Sequence, residues 1–454
     1  MPGDVRRGRE RGRWSTGGLW TWPAVAVLLG VAAARSLVEV PVPFGWPRTI
    51  LWPGDVESLS ALLQVLATTT ITATTLTFSI TVVALQLASQ QFSPRLLREF
   101  TRDRVTKLVL AVLLGTFAYS ITVLRELRAV DEAPAAAAFV AGVLALVSLS
   151  ALIGLIAHIV TILRIDTMML SVNGETRRAM AASYPAYDAP RDAPPVEAAR
   201  PEGQGALVRA AGGGFVSAVD VARLVGAMRE RRACTELLVR PGDHVVTGAP
   251  VAQVWRTADG SAPPQDEDAH DVGDAVRAAV SLGYERTLEQ DVAFGFRQLE
   301  DIAVKALSPG INDPVTAAHA IGHMAELVVH LLGRRLGPVV HADDAGEPRV
   351  LMPDRDLTYF LDLACGQVRR YGSREPTVLA ALLRLLRDAA AAARDDHQRA
   401  VVEAHADAVV AALDGAVADH DAAPVHDLRQ RVGLALAGDV RGAYVDRAGE
   451  TRSI

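Results

Sequence analysis

Cysteine and lysine are nearly missing from this chain, and one long stretch carries no charge at all. Two cysteines, Cys234 and Cys365, cannot build a disulfide scaffold or a four-cysteine zinc site. Lys107 and Lys305 are the only lysines, so arginine supplies nearly all of the 46 basic residues. With alanine so abundant, that bias reads as genomic composition rather than selection for phosphate binding. A formal net charge of −6 argues against a nucleic-acid partner. Neither cysteine sits in a catalytic pattern, and no GxSxG or HExxH run occurs. The triplet Gly212–Gly214 lacks the Lys-Ser/Thr that completes a phosphate-binding loop. The expectation is therefore a protein that is not an enzyme and has no cofactor.

What is present is apolar length. Half of the 454 residues are hydrophobic and only 5% aromatic, and the mean hydropathy is +0.21. Soluble domains rarely reach that balance, so some stretches should cross a bilayer. Four do so by length: Leu19 to Val38, Leu59 to Leu87, Val105 to Leu124 and Pro134 to Leu163. None is expected later. Arg35 interrupts the first, and Trp14, Trp20, Trp22, Trp46 and Trp52 flank its ends as interfacial anchors would. A short apolar core behind five arginines also resembles a secretory leader, but the apolar zone reaches back to Leu19, which favours a retained span.

Charge in the connections alternates. Arg6, Arg7, Arg9, Arg11 and Arg13 precede the first span; Arg95, Arg98, Arg102, Arg104 and Lys107 lie between the second and third; Arg164, Arg177 and Arg178 follow the fourth. The other two connections are poor in basic residues. Excess arginine stays in the cytoplasm, which predicts a multi-pass inner-membrane protein with its N-terminus and long C-terminal part inside.

The second span reads TTTITATTLTFSIT from Thr68 to Thr81. At about 100° per residue, Gln64, Thr72, Thr75, Ser79, Gln86 and Gln90 all fall within about 40° of Thr68. Thr70, Thr74, Thr77 and Thr81 form a second stripe on the opposite side. Threonine can discharge its hydroxyl on its own backbone, but glutamine cannot, so the first face should avoid lipid. It either packs against another helix or lines a polar cavity or pore. With no acidic or basic residue between Glu57 and Arg95, such a pore would be neutral, selecting by width and dipoles. His158 is the only imidazole in the spans, and reads either as a bonded packing residue or as a gate.

The fold expected is an α-helical membrane protein: a basic N-terminus (1–18), four spans (19–165), a Pro-rich linker (166–204), a small β module (205–256), an α-helical cytoplasmic region (270–438) and a flexible tail (439–454). In the β module, RPGDHVVTGAPVAQVW is similar to the hairpin of biotinyl or lipoyl barrels, but it has no lysine to carry a swinging arm. Helices are expected at Asp220–Arg231, Arg286–Leu307, from Asp313 to about Arg334, Pro353–Tyr371, Pro376–Leu413 and Pro424–Leu436. Asp313 with Pro314 is an N-cap followed by the favoured first-turn proline.

Two runs, TITATTLTFSITVVALQLASQQFSPRLLREF and DIAVKALSPGINDPVTA, resemble an uncharacterised bacterial family of predicted membrane proteins, domain of unknown function 2254. The resemblance implies four N-terminal spans and a cytoplasmic region, and carries over no activity or catalytic residue. It does not support the tail after about Gly438 or the acidic stretch Gln265–Asp271.

Candidate sites on the soluble side are few. The signature turn holds Ser308, Pro309, Gly310, Asn312, Asp313 and Pro314, and Arg297, Asp301 and Lys305 recur at i, i+4, i+8 before it. They read either as helix support and a cap, or as a ligand or coupling site. His319, His323 and Glu326 share one helix face and could reach one metal, although a solvated polar face explains them more readily. The function expected is an oligomeric channel or transporter using the second span, with lipid and further copies of itself as partners. The alternative is a non-conducting scaffold or sensor whose cytoplasmic domain binds a ligand or partner.

Overall fold

The computed structural model describes residues 17–39, 52, 54–91, 103–129, 133–162, 164–190, 199–203, 205–256 and 266–445, without the side chains of 17–20, 39, 87–91, 129, 162 and 266–269. The expectations for the basic N-terminus, the arginines at 95, 98 and 102, Trp14 and Trp46 therefore lie outside the described residues, as does the tail beyond 445. The chain divides into two compact units, Met1–Met168 and Met169–Ile454.

The first unit is a helical bundle: α1 (Gly17–Glu39), α2 (Val56–Gln91), α3 (Arg104–Glu126) and α4 (Ala135–Ile162). All four are long and apolar enough to cross a membrane. Asp55 starts α2 by accepting the Ser58 N–H at 2.9 Å, and Asp103 caps α3 by accepting from Val105 and Thr106. One core gathers Leu59, Leu63, Tyr119, Val123 and Ala137, and a second Ala73, Leu113 and Leu155. Small residues set the α1–α3 approach. A Cβ on Gly30 would stand 2.5 Å from the Gly115 carbonyl oxygen, so only glycine fits there. Tyr119 donates to the Ala137 carbonyl at 2.8 Å, discharging a phenol that burial would otherwise leave unpaired.

The second unit begins on α5 (Ile165–Ser183), a helix where the sequence suggested linker. Then come β1 (Ala206–Arg209), β2 (Gly214–Val219), α6 (Val221–Glu230), β3 (Ala233–Leu237), β4 (His244–Val245), β5 (Pro250–Arg256), α7 (Asp266–Ala279) and β6 (Val280–Gly283). They are followed by α8 (Val292–Ala306), α9 (Pro314–Leu332), β7 (Val339–Ala342), β8 (Pro348–Met352), α10 (Leu357–Tyr371), α11 (Pro376–Ala392), α12 (Asp396–Ala411), α13 (Asp419–Leu436) and α14 (Val440–Tyr444).

The β module is thus larger than residues 205–256. One sheet has the order β1-β5-β3-β8-β7, with β3 and β8 parallel and the rest antiparallel; the other is β4-β2-β6. The hairpin β7–β8 comes from a region expected to be wholly helical. Val216, Val219, Leu224, Val251, Val254 and Val276 form the core between these strands and helices.

Helix α9 corrects the expectation that no spanning-length segment follows the first four, since Pro314–Leu332 also qualifies by length and composition. Its apolar face (Ile321, Met324, Leu327, Val328, Leu331) is fully buried inside the unit. Protein core, rather than lipid, satisfies that face here.

Candidate functional site

The two hydroxyl stripes of α2 have opposite surroundings. Thr70 and Thr77 are 2% and 1% exposed, and Thr74 and Thr81 are half-buried, so this stripe lies inside the bundle. Gln64, Thr68, Thr72, Thr75, Ser79 and Gln86 are all exposed along the other face. Gln90 continues α2, but its side chain lies outside the described residues. Thr72 donates to the Thr68 carbonyl at 2.8 Å and Thr75 to that of Ile71 at 3.1 Å, while Gln64 Nε2 donates to Ser60 Oγ at 3.2 Å. The Thr72 and Thr75 hydroxyls are therefore satisfied by their own helix, and each oxygen keeps acceptor capacity. Inside the bundle the Thr77 hydroxyl is buried with no hydrogen-bond partner. Ile71, Leu76, Phe78 and Ile80 flank the outward stripe and are exposed as well.

A lateral groove of about 640 Å³ runs between α1, α3 and α4, lined mainly by Trp22, Val25, Leu29, Val112, Leu144 and Val147. It is apolar and does not include the α2 stripe.

His158 is a bonded residue. Its Nε2 lies 3.0 Å from Asp103 Oδ1, joining α4 to the N-cap of α3. The same carboxylate thus caps one helix and holds another.

In the second unit, the signature turn is a tightly bonded connection between α8 and α9. Asp313 accepts the Thr316 N–H at 3.0 Å, and Asn312 has a left-handed φ of 49°. Those Thr316 bonds hold the Asp313 carboxyl below the ordinary carboxylate range. Ser308 accepts from both Ile311 and Asn312. Arg297 pairs at 2.6 Å with the buried Glu300. Asp301 and Lys305 are also engaged.

The polar face of α9 is held by α5. Arg177 Nη1 lies 2.7 Å from Glu326 Oε1, and Asn173 donates to the His323 carbonyl at 3.0 Å. Among the described residues no three His, Cys, Asp or Glu side chains are grouped to hold a metal ion, so His319, His323 and Glu326 are not brought together as one.

One charged cluster has no counterpart in the sequence reading. Asp291, 1% exposed at the start of α8, makes no capping bond; Arg286 Nη2 lies 2.6 Å from its Oδ2 and Arg355 Nη1 3.6 Å from its Oδ1. Arg355, itself 4% exposed, donates to the Pro241 carbonyl at 3.0 Å and stacks over the Tyr359 ring at 5.3 Å. Asp243 faces it at 3.7 Å, and Tyr184 donates to the neighbouring Asp354 at 3.2 Å. Burial pushes the Asp291 carboxyl up, against the pull of Arg286 and Arg355. The cluster ties the 240–243 turn to α8 and α10. It reads as a buried clamp. Its members' scattered positions hid it; Arg355 between Asp354 and Asp356 was the available signal.

Residues 16–388 match the family described as Predicted membrane protein (DUF2254). An uncharacterised protein of Mycobacterium tuberculosis and one of Mycobacterium bovis are each 35% identical over 414 residues, covering 89% of this chain and 77% of theirs. No solved structure matches.

Proposed function

Because this chain belongs to the DUF2254 family of predicted membrane proteins, we propose that its membrane unit assembles with further copies of itself around a polar axis lined by the outward stripe of α2. Small solutes then pass along Gln64, Thr68, Thr72, Thr75, Ser79 and Gln86. The single observation behind this reading is the division of the α2 hydroxyls, with one stripe buried in the bundle and the other exposed along the helix. A polar face over this length is costly against lipid, and oligomerisation removes it from lipid. The orientation in this reading, with both termini cytoplasmic in the inner membrane, is supported by the alternation of arginine-rich connections.

The test is flux of potassium, chloride and urea across liposomes holding the purified protein. Wild type conducts at least one of them, and Thr72→Leu/Thr75→Leu/Ser79→Leu changes or abolishes that flux while the oligomer persists. Intact oligomers without flux would overturn the reading.

A second reading is a non-conducting scaffold or sensor. The internal bonding of Thr72 and Thr75 favours it, because such a stripe also packs helix to helix without water. In that case the leucine variant changes subunit association and nothing else.

A further inference from the structure

The SPGINDP turn has an apolar tip. Ile311 is 48% exposed and Val315 44%, and Pro309, Gly310 and Asn312 beside them are exposed too. Most of its backbone N–H groups are bonded. Leu307 donates to Ala303, Ser308 to Lys305, Ile311 and Asn312 to Ser308, and Asp313 to Ala306, while Pro309 and Pro314 have no N–H to satisfy. A turn of this kind enters a low-dielectric layer without stranding those donors.

Its place in the second unit follows from three helices. Asn173 bonds His323 and Arg177 bonds Glu326, so α5 and α9 run parallel in register. Gly295 of α8 lies against Thr176, where a Cβ would meet the threonine hydroxyl. From Gly295 to Ala306, and from Glu326 back to Pro314, each helix covers about 17 Å at roughly 1.5 Å per residue. From Thr176 back to Met169, α5 covers only about 10 Å. The turn therefore lies at, and slightly past, the end of the unit that carries Met169. That end is tethered: Met169 follows Ile162, the last residue of α4, by no more than about 25 Å of chain.

We propose that the tip of this turn, Ile311 with Val315, rests in the headgroup layer of the bilayer and anchors the second unit to the lipid surface. Two apolar side chains suit an interfacial contact that adjusts with the spans, rather than an independent anchor. Leu170, 64% exposed on α5, belongs to the same end.

The experiment uses the full chain in phosphatidylcholine liposomes with an environment-sensitive nitrobenzoxadiazole label on Ile311→Cys, and separately on Val315→Cys. Labelling is selective because Cys234 and Cys365 are both buried. The reference is Ala345→Cys, exposed on the β7–β8 turn. The expected result is blue-shifted emission at 311 and 315, quenched more by lipid spin-labelled near the headgroup than by lipid labelled at the chain end. The Ala345 label stays water-like. Water-like emission at both test sites overturns the proposal. So does a blue shift that no spin-labelled lipid quenches, which would mean that protein covers the turn.

Discussion

A Cβ placed on Gly242 would stand 2.1 Å from Oδ2 of Asp291. The turn also needs a left-handed φ of 91° at that glycine, whose N–H donates to the Val216 carbonyl at 2.8 Å. Sterics and backbone thus agree on glycine, and the carboxylate it admits is the centre of the buried clamp.

Gly242→Ala should lower the stability of the second unit by at least about 1–3 kcal/mol from backbone strain alone. Asp291→Ala should cost about 3–5 kcal/mol, because it strands Arg355 and Arg286. Denaturant unfolding followed at Trp255, buried in β5, checks both. An unchanged midpoint for Asp291→Ala would mean that the clamp contributes nothing.

The cap at α9 sets a pH dependence. Hydrogen bonds from Thr316 depress the Asp313 carboxyl, so the folded state holds its proton less tightly than the unfolded chain. The cap's contribution is then present above the unfolded value of about 3.9 and fades as pH falls through the lower folded value. Amide exchange at Thr316 and Ala317, corrected for intrinsic rates, should accelerate below about pH 4 in wild type and show no such step in Asp313→Asn, which keeps an acceptor.

Both thiols should be inert in the folded chain. Burial pushes Cys234 up to about 11 and Cys365 up to about 12. Maleimide at pH 7 should label neither until denaturant is added. Labelling of either in native protein would show that β3 or α10 opens readily.

Asp103 does two jobs, capping α3 and holding His158, so Asp103→Ala should lose more than the usual cap contribution of about 0.5–2 kcal/mol. His158→Ala removes the interhelical bond and spares the cap. Thermal unfolding of the two variants in detergent should rank them in that order.

Local chemistry was legible from sequence, and distant pairing was not. Asp313 before Pro314 announced its helix through cap chemistry, and that cap accepts the expected amide. The two faces of α2 followed from helical period. The long helix expected at Pro376–Leu413 instead breaks at Ala393, whose ψ of 133° leaves the helix before Asp395 caps the next one. Alanine propensity masked that break, which tertiary bonds such as Arg394 to Asp188 hold in place. The linker reading of 166–183 failed for a related reason, since α5 is ordered by its contacts with α9 rather than by a strong local signal. The clamp joins residues from 240 to 359, each of which alone looks like ordinary loop polarity.

A pore along α2 requires its outward stripe to face water within an oligomer. Its most direct measurement is the reaction of single cysteines at Thr72, Thr75 and Ser79 with a small, charged methanethiosulfonate in membranes. Leu149→Cys on the exposed apolar face of α4 is the lipid-facing reference. Rapid modification is expected at all three stripe positions and none at Leu149→Cys. Stripe cysteines as inert as Leu149→Cys would contradict the pore.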